Sequence, residues 1–294
     1  MAPRVSRERA KRERERRLAE LLERGTRDHY LDPLLYDFEY GEQIDDVEWY
    51  RSVAKQRAQG LPILELGAGS GRVTIPLAAD GHRLIALDRM MPMLEHLELK
   101  LERMAQAGES PAGPIELLGG DMLDIPLADQ SVGMVIAPFN CLMHLYQWSE
   151  LLACFREAYR VLRPGGCFAL DVLLPDLEWL QWDPEVRHAV TEFRHPRTGQ
   201  RMIYSTNHRY DPDSQVCHIR IYYDERAAHP GGQLHPEVEP VEVVHLAHRQ
   251  IYPEELRMLA GVAGFEIEQH GGDFLGLTLN ADVETQNMIC RRPA

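Results

Sequence analysis

Between residues 63 and 172 short apolar runs recur along the chain, each bounded by glycine, proline or an acid. After most of them the apolar positions return every three or four residues instead, the period of a helix with one buried face. Residues 63–66, 83–87, 114–118, 133–138 and 167–172 read as strands, and residues 73–78, about 89–107 and 149–161 as the helices between them. Near-continuous apolar strands alternating with amphipathic helices predict an α/β domain around a parallel sheet. The pattern then changes. Residues 202–210 and 216–223 flank Asp211-Pro212-Asp213-Ser214-Gln215, a hairpin signal, and a further strand over about 241–251 could pair with it. These predict an antiparallel cap inserted after the fifth parallel strand. The stretch 228–240, rich in proline and glycine, reads as a mobile loop. Beyond it, Pro253 opens a helix, a strand begins near Gly264, and residues 285–291 form another. At the other end, residues 6–27 alternate arginine and glutamate at helical spacing over a thin seam of Leu18, Leu21 and Leu22, which predicts a solvated helix that frays at its start. The expected organisation is a charged helix over 1–28, lid helices over 29–60, a core over 61–175, the cap over 176–252 and a closing helix and hairpin over 253–294.

Composition adds limits. The 294 residues are 44% hydrophobic and 27% charged, enough for one large domain with an insertion. Apolar runs all fall well short of the roughly 20 residues that cross a bilayer, so no membrane association and a cytoplasmic location are expected. Cys141, Cys154, Cys167, Cys217 and Cys290 are odd in number and widely spaced, which suggests reduced thiols. Net charge is −14; residues 1–29 hold ten Lys or Arg against six Asp or Glu, so the remaining chain carries −14 less +4, or −18. So acidic a body repels phosphate backbones and argues against a nucleic-acid partner. A small molecule or peptide fits better, and a homodimer is allowed.

The candidate chemistry begins at Glu65-Leu66-Gly67-Ala68-Gly69-Ser70-Gly71. Strand, glycine turn and helix in succession let a ligand approach bare backbone, as at a nucleotide site. The dinucleotide pattern G-x-G-x-x-G does not fit, because its third glycine would fall on Arg72 or Thr74; a phosphate loop of the G-x-x-x-x-G-K type is missing too. Asp88 ends the second strand about 20 residues past the glycines, placed to accept from a ribose diol. Gly120-Asp121-Met122 ends the third strand, Pro138 and Asn140 follow the fourth, and Arg163-Pro164-Gly165-Gly166 reads as a turn into the fifth.

Together these motifs resemble the class I S-adenosylmethionine-dependent methyltransferases over about residues 36–175. Within them, Asn140-Cys141-Leu142-Met143-His144-Leu145 is similar to the Asn-x-x-x-His-Leu segment of small-molecule N-methyltransferases of the glycine and aminosugar kind. The resemblance implies a three-layer, Rossmann-like, seven-stranded mixed sheet completed by the terminal hairpin, with S-adenosyl-L-methionine as cofactor. It implies cofactor contacts at Glu65, Gly67, Ala68, Gly69 and Gly71, at Asp88, Arg89 and Met93, at Asp121 and Met122, and at Pro138 and Asn140. Tyr36-Asp37-Phe38-Glu39-Tyr40 matches a Tyr-Asp-x-x-Tyr lid, which adds Tyr36 to the cofactor and Tyr40 to the substrate; packing of these rings on the core stays open. The glycine enzymes carry an arginine just after the fifth strand, where this chain has Leu173-Leu174, so glycine is not the expected acceptor.

Methyl transfer is an in-line displacement, in which alignment supplies most of the catalysis. His144 beside Asn140 is the candidate to hold the nucleophile deprotonated. Tyr40, Tyr204, His208 and Tyr252 are candidate substrate contacts, with the acceptor expected between lid and cap. His245 and His248, three apart on a strand, point to opposite faces, and no metal is expected. The expected activity is methylation of a small-molecule or peptide amine. RNA or protein methylation, or a non-catalytic cofactor-binding protein, are the alternatives.

Overall fold

The protein is described by a computed structural model covering residues 2–229, 231, 233–235, 237–280 and 282–294. It divides into two compact units. The first takes the chain up to His29 with Leu180–His248, and the second takes Tyr30–Trp179 with Arg249–Ala294.

In the first unit, α1 (Ala2–Arg27) precedes a four-stranded sheet of β6 (His188–Arg194), β7 (Arg201–Asp211), β8 (Val216–Glu225) and β9 (Glu242–Arg249), in that spatial order. The expected hairpin is β7 and β8, antiparallel from Met202 opposite Glu225 to Asp211 opposite Val216. Strand β6 is absent from the sequence reading; it is a mostly exposed edge strand, so no buried face marked it. The charged helix is solvated only in part. Residues 12–20 are exposed, but Gly25 is buried so closely on β9 that a Cβ there would stand 2.4 Å from Ala247 Cβ. His29 is buried beyond it, and burial pulls both His29 and His248 down to about 4. Of the loop expected over 228–240, Pro230, Gly232 and Pro236 lie outside the described residues.

In the second unit, α2 (Pro33–Tyr40) and α3 (Asp45–Arg57) precede the alternating core: β1 (Ile63–Leu66), α4 (Thr74–Ala79), β2 (Leu84–Asp88), α5 (Met91–Ala107), β3 (Ile115–Gly119), β4 (Val132–Ala137), α6 (Trp148–Val161) and β5 (Leu162–Leu173). Then α7 (Pro253–Ala263), β10 (Glu266–Gly272) and β11 (Thr285–Arg291) close the unit. The sheet order is β10-β11-β5-β4-β1-β2-β3, with β11 antiparallel to both neighbours and the other pairs parallel. This is the expected mixed seven-stranded sheet. Strands β1 and β4 are buried at every position, which is why they read as unbroken apolar runs. Successive side chains alternate between faces. Ile63, Met134 and Ala169 pack beneath α3 and α4 with Tyr50, Val53 and Leu77, while Leu64, Val135 and Phe168 pack with Phe155 of α6 and Leu256 of α7.

One turn differs from expectation. The segment Arg163-Pro164-Gly165-Gly166 belongs to β5, because Gly165 N donates to Arg292 O and Arg292 N donates to Gly166 O, extending the ladder beyond Cys167. Among the described residues no helix is long and apolar enough to cross a membrane.

Candidate active site

Strand order reverses direction at β1, which pairs with β2 on one side and β4 on the other. Ligands of open parallel sheets lie outside the carboxyl ends of the strands at such a switch point. The two chain segments leaving β1 and β4 meet there: a Cβ on Gly67 would stand 2.8 Å from Cys141 Cβ.

On the β1 side, Gly67, Gly69 and Gly71 all have positive φ, at 68°, 56° and 84°. Gly71 is needed for packing as well, since a Cβ would lie 2.3 Å from Leu97 Cδ1. The loop is tied to β2: Ala68 N donates to Leu87 O at 3.0 Å, and Gly69 N donates to Asp88 Oδ2 at 2.7 Å. Asp88 Oδ1 accepts from Met90 N at 2.7 Å. Burial pushes the Asp88 carboxyl up, against the opposing pull of the Met90, Gly69 and Arg89 backbone groups. A carboxylate offers about four lone-pair positions, so the backbone groups leave acceptor capacity for a ribose hydroxyl. Asp121, half-buried, accepts from Leu123 N through Oδ1 at 2.9 Å and keeps lone pairs for an amine, with half-buried Met122 next to it. Bare glycine backbone, a diol acceptor and an amine acceptor in this order fit S-adenosylmethionine.

Three expected cofactor residues have other surroundings. Glu65 is 2% exposed and accepts from Thr74 Oγ1 at 2.6 Å, so its carboxyl group links β1 to α4 beneath the turn. Burial pushes it up to about 8, with the Thr74 hydrogen bond pulling the other way. Met93 is buried in the core against the loop, and Arg89 is exposed.

The lid segment is α2, capped by Asp32, which accepts from Leu34 N and Leu35 N. Its Asp37 accepts from the buried Ser70 hydroxyl of the glycine turn and from Lys100 Nζ at 3.0 Å, and lies 2.9 Å from His96 Nε2, both on α5. Burial pushes this carboxyl up, yet Ser70, Lys100 and His96 outweigh it and hold it below its ordinary value. Rings continue from here in sequence: Tyr30 to Tyr36 at 5.7 Å, Tyr36 to Tyr40 at 4.8 Å and Tyr40 to Phe139 at 5.3 Å between centroids.

On the β4 side, Pro138 is buried, and Phe139 and Asn140 both take left-handed conformations, with φ of 52° and 66°. Asn140 Oδ1 accepts from Leu173 N at 2.7 Å. Phe139 N donates to Asp171 Oδ1 at 2.9 Å, and the Arg72 guanidinium covers the Phe139 ring at 4.2 Å. Arg72 is in turn gripped by both oxygens of Asp46, at 2.7 and 2.5 Å. A short turn over Cys141–His144 then brings His144 Nε2 to 2.6 Å from Tyr30 Oη, with the rings edge to face.

Of the predicted residues, the structure thus brings together Tyr36, Tyr40, Asn140 and His144, and separately Gly67, Gly69 and Asp88. Tyr252 is half-buried at the cap of α7, outside the ring series. Tyr204 and His208 belong to the first unit, on β7, where His208 is buried and its ring lies 6.4 Å from that of Trp182. Tyr30, Asp171, Arg72 and Asp46 were not identified from sequence. Tyr30 precedes the Tyr36–Tyr40 motif by six residues, but its partner is 114 residues away.

Comparison with known proteins finds the same domain and fold. Residues 63–166 match the model of a methyltransferase domain. A malonyl-[acyl-carrier protein] O-methyltransferase of Xylella fastidiosa is 34% identical over 116 residues, 39% of this chain and 35% of that protein. The cypemycin N-terminal methyltransferase of a Streptomyces species is 27% identical over 221 residues, 74% of this chain and 77% of that protein. The chain spans between about a third and a half of the malonyl-[acyl-carrier protein] enzymes it matches. Among solved structures, the CcbJ methyltransferase from Streptomyces caelestis shares the fold with a TM-score of 0.68 at 24% identity, over 85% of this chain and 90% of that one. The glycopeptide N-methyltransferase MtfA, solved with S-adenosyl-L-methionine, shares it with a TM-score of 0.55 at 19% identity, over 84% and 87%. Residues 63–166 thus match a methyltransferase domain, and the fold around them is shared with solved S-adenosylmethionine-dependent methyltransferases.

Proposed function

We propose that this protein transfers the methyl group of S-adenosylmethionine to an amine nitrogen on a small molecule or peptide. The observation that carries the reading is the Tyr30–His144 hydrogen bond beside Asn140, at the carboxyl ends of β1 and β4. Burial pushes the Tyr30 hydroxyl well above its ordinary range, with Tyr36 and Tyr40 adding to the effect. Tyr30 therefore keeps its proton at neutral pH and, with His144 in the Nδ1–H tautomer, donates it to His144 Nε2. His144 then acts through Tyr30: as the acceptor's N–H proton passes to Tyr30 Oη, the Tyr30 proton passes to His144 Nε2, leaving a neutral tyrosine and an imidazolium. The cofactor supplies an electrophilic methyl group on sulfur, and the residues hold the nitrogen in line with it.

Charge favours an amine over a carboxylate. Arg72, the guanidinium over Phe139, is already engaged by Asp46 and by Gln43 O, and the body is acidic. An anionic acceptor would find little to balance it. Further support comes from relatives named for methylating an N-terminus and a glycopeptide nitrogen. The test incubates purified protein and methyl-labelled cofactor with aminosugars, peptides bearing a free N-terminus, the same peptides acetylated, and a malonyl thioester. Label on the free amines, lost on acetylation, is expected. Label on the malonyl carboxylate instead would overturn the amine reading.

A further inference from the structure

At the carboxyl end of β5 stands a buried acid that the proton path above does not use. Asp171 is 2% exposed between Leu170 and Val172, both fully buried. A carboxyl group in such a place is tolerated only when it is hydrogen-bonded. Its Oδ1 accepts twice, from Tyr50 Oη at 2.7 Å and from Phe139 N at 2.9 Å. Tyr50, itself fully buried on α3, also lies 3.3 Å from Ala137 O, the last residue of β4.

What Asp171 holds is strained. Phe139 and Asn140 are consecutive non-glycine residues with positive φ, and for a bulky side chain that region is an outlier. Such backbone persists only where its surroundings over-determine it. Here the determining bonds come from one strand: Asp171 Oδ1 takes Phe139 N, and Leu173 N gives to Asn140 Oδ1. Immediately after Asn140 the chain makes the turn that ends at His144. Fixing the corner therefore fixes the Phe139 ring under Tyr40, the Asn140 amide and the start of the turn bearing His144.

We infer that Asp171 is a positioning residue: its acceptor oxygen holds the Phe139–Asn140 corner and, through it, places His144 against Tyr30. The inference deepens the proposed function, but its first two readouts do not depend on any methyl acceptor. Hydrogen exchange of the peptide covering residues 138–144 and the ¹⁵N resonances of His144, assigned with His144→Gln, are measured in wild type, Asp171→Asn, Asp171→Ala and Tyr50→Phe. Asparagine retains an acceptor oxygen and should keep both signals close to wild type. Alanine should speed exchange at Phe139 at least tenfold and shift the His144 Nε2 resonance, while S-adenosylhomocysteine affinity changes less than threefold, because the Gly67–Gly71 turn and Asp88 make no bond to Asp171. Tyr50→Phe should leave the corner in place. Should Asp171→Ala not fold, Asp171→Ser, whose hydroxyl is too short to reach Phe139 N, takes its place. Unchanged exchange and an unmoved His144 signal in the alanine or serine variant would overturn the inference, as would an asparagine variant as perturbed as alanine. If those signals behave as expected and no amine is methylated, the proposed reaction fails while the positioning role stands.

Discussion

The ends of β1 and β4 lie side by side, and both send the backbone into the left-handed region, but by different means. After β1 the positive φ values fall on Gly67, Gly69 and Gly71; after β4 they fall on Phe139 and Asn140. Glycine takes that conformation without steric penalty, whereas L-residues with a Cβ lose roughly 1–2 kcal/mol each. The first end is therefore specified by its own residues. The second is specified by tertiary contacts with Asp171, Leu173 and Arg72. Under each end sits one buried acid holding one hydroxyl, Glu65 with Thr74 and Asp171 with Tyr50. In the proposed reaction the β1 end is the cofactor end and the β4 end the acceptor end; the first is thus locally encoded and the second is assembled from distant parts.

The largest effect should come from breaking the acceptor end alone. His144→Ala removes the terminal proton acceptor of the proposed reaction and should lower turnover roughly 10²–10⁴-fold, with S-adenosylhomocysteine affinity by calorimetry unchanged. Tyr30→Phe should do the same. Loss of cofactor binding in either variant would mean that the two ends are not separable in this way.

The converse change is Gly71→Ala, at the cofactor end. Its Cβ would fall 2.3 Å from Leu97 Cδ1, on a backbone with φ of 84°. Overpacking and a strained φ together should remove about 2–5 kcal/mol of stability. Asn140→Gly makes the opposite trade: relief of strain offsets a lost hydrogen bond worth about 0.5–1.5 kcal/mol, so denaturant midpoints should scarcely move. Equal destabilisation by the two substitutions would erase the contrast.

This difference decided what the sequence could show. The glycine turn, Asp88, Asp121 and all seven core strands announce themselves within a few neighbouring residues, as period, punctuation or strand end. Arg72 looked like a mismatch to a dinucleotide pattern, and only the fold shows it clasped by Asp46 and laid on Phe139. Asp171 looked like part of a strand end that lacked a cation; its partners Tyr50 and Phe139 are 121 and 32 residues away. Strand β6 and the docked end of α1 were missed for a related reason, since neither carries a continuous apolar face.

Next in size is cofactor affinity in Asp88→Ala. The change removes the acceptor of Gly69 N and Met90 N together with the ribose contact expected of Asp88, a loss of about 1.5–3 kcal/mol for charge-assisted bonds. Calorimetry with S-adenosylhomocysteine should record it as a drop of at least tenfold. Unchanged affinity would leave the cradle without its ribose partner.

The two buried acids give the comparison a pH dependence. Burial raises Glu65 to about 8 and Asp171 to about 7, so the folded state holds protons that the unfolded chain releases near its ordinary carboxylate range. Their stabilising effect is full below that range and is lost as pH rises, through about 7 for Asp171 and about 8 for Glu65. Melting temperature should therefore fall from pH 5 to pH 9 on their account, by an amount on the order of a few kcal/mol in stability. Glu65→Gln should flatten the curve up to its upper end and Asp171→Asn up to its middle. Parallel curves for wild type and both variants would show that neither acid titrates as its burial implies.

The smallest effect should follow removal of residues 1–20. Side chains from Arg12 to Glu20 are exposed, and the ion pairs of Arg16 with Glu13 and Glu20 lie at the surface, where such pairs contribute little. The docked part of α1 begins later, at Gly25 against Ala247, so the shortened chain keeps that contact and His29. Melting temperature should stay within about 1 °C, S-adenosylhomocysteine affinity within a factor of about two, and exchange across residues 138–144 as in the full chain. Extending the deletion through His29 should, in contrast, lower the melting temperature, because it uncovers the β9 surface that Gly25 occupies. A shift in either ligand affinity or corner exchange on removing only residues 1–20 would mean that the charged helix reaches the active-site edge, and that the acceptor end is assembled from still more distant parts.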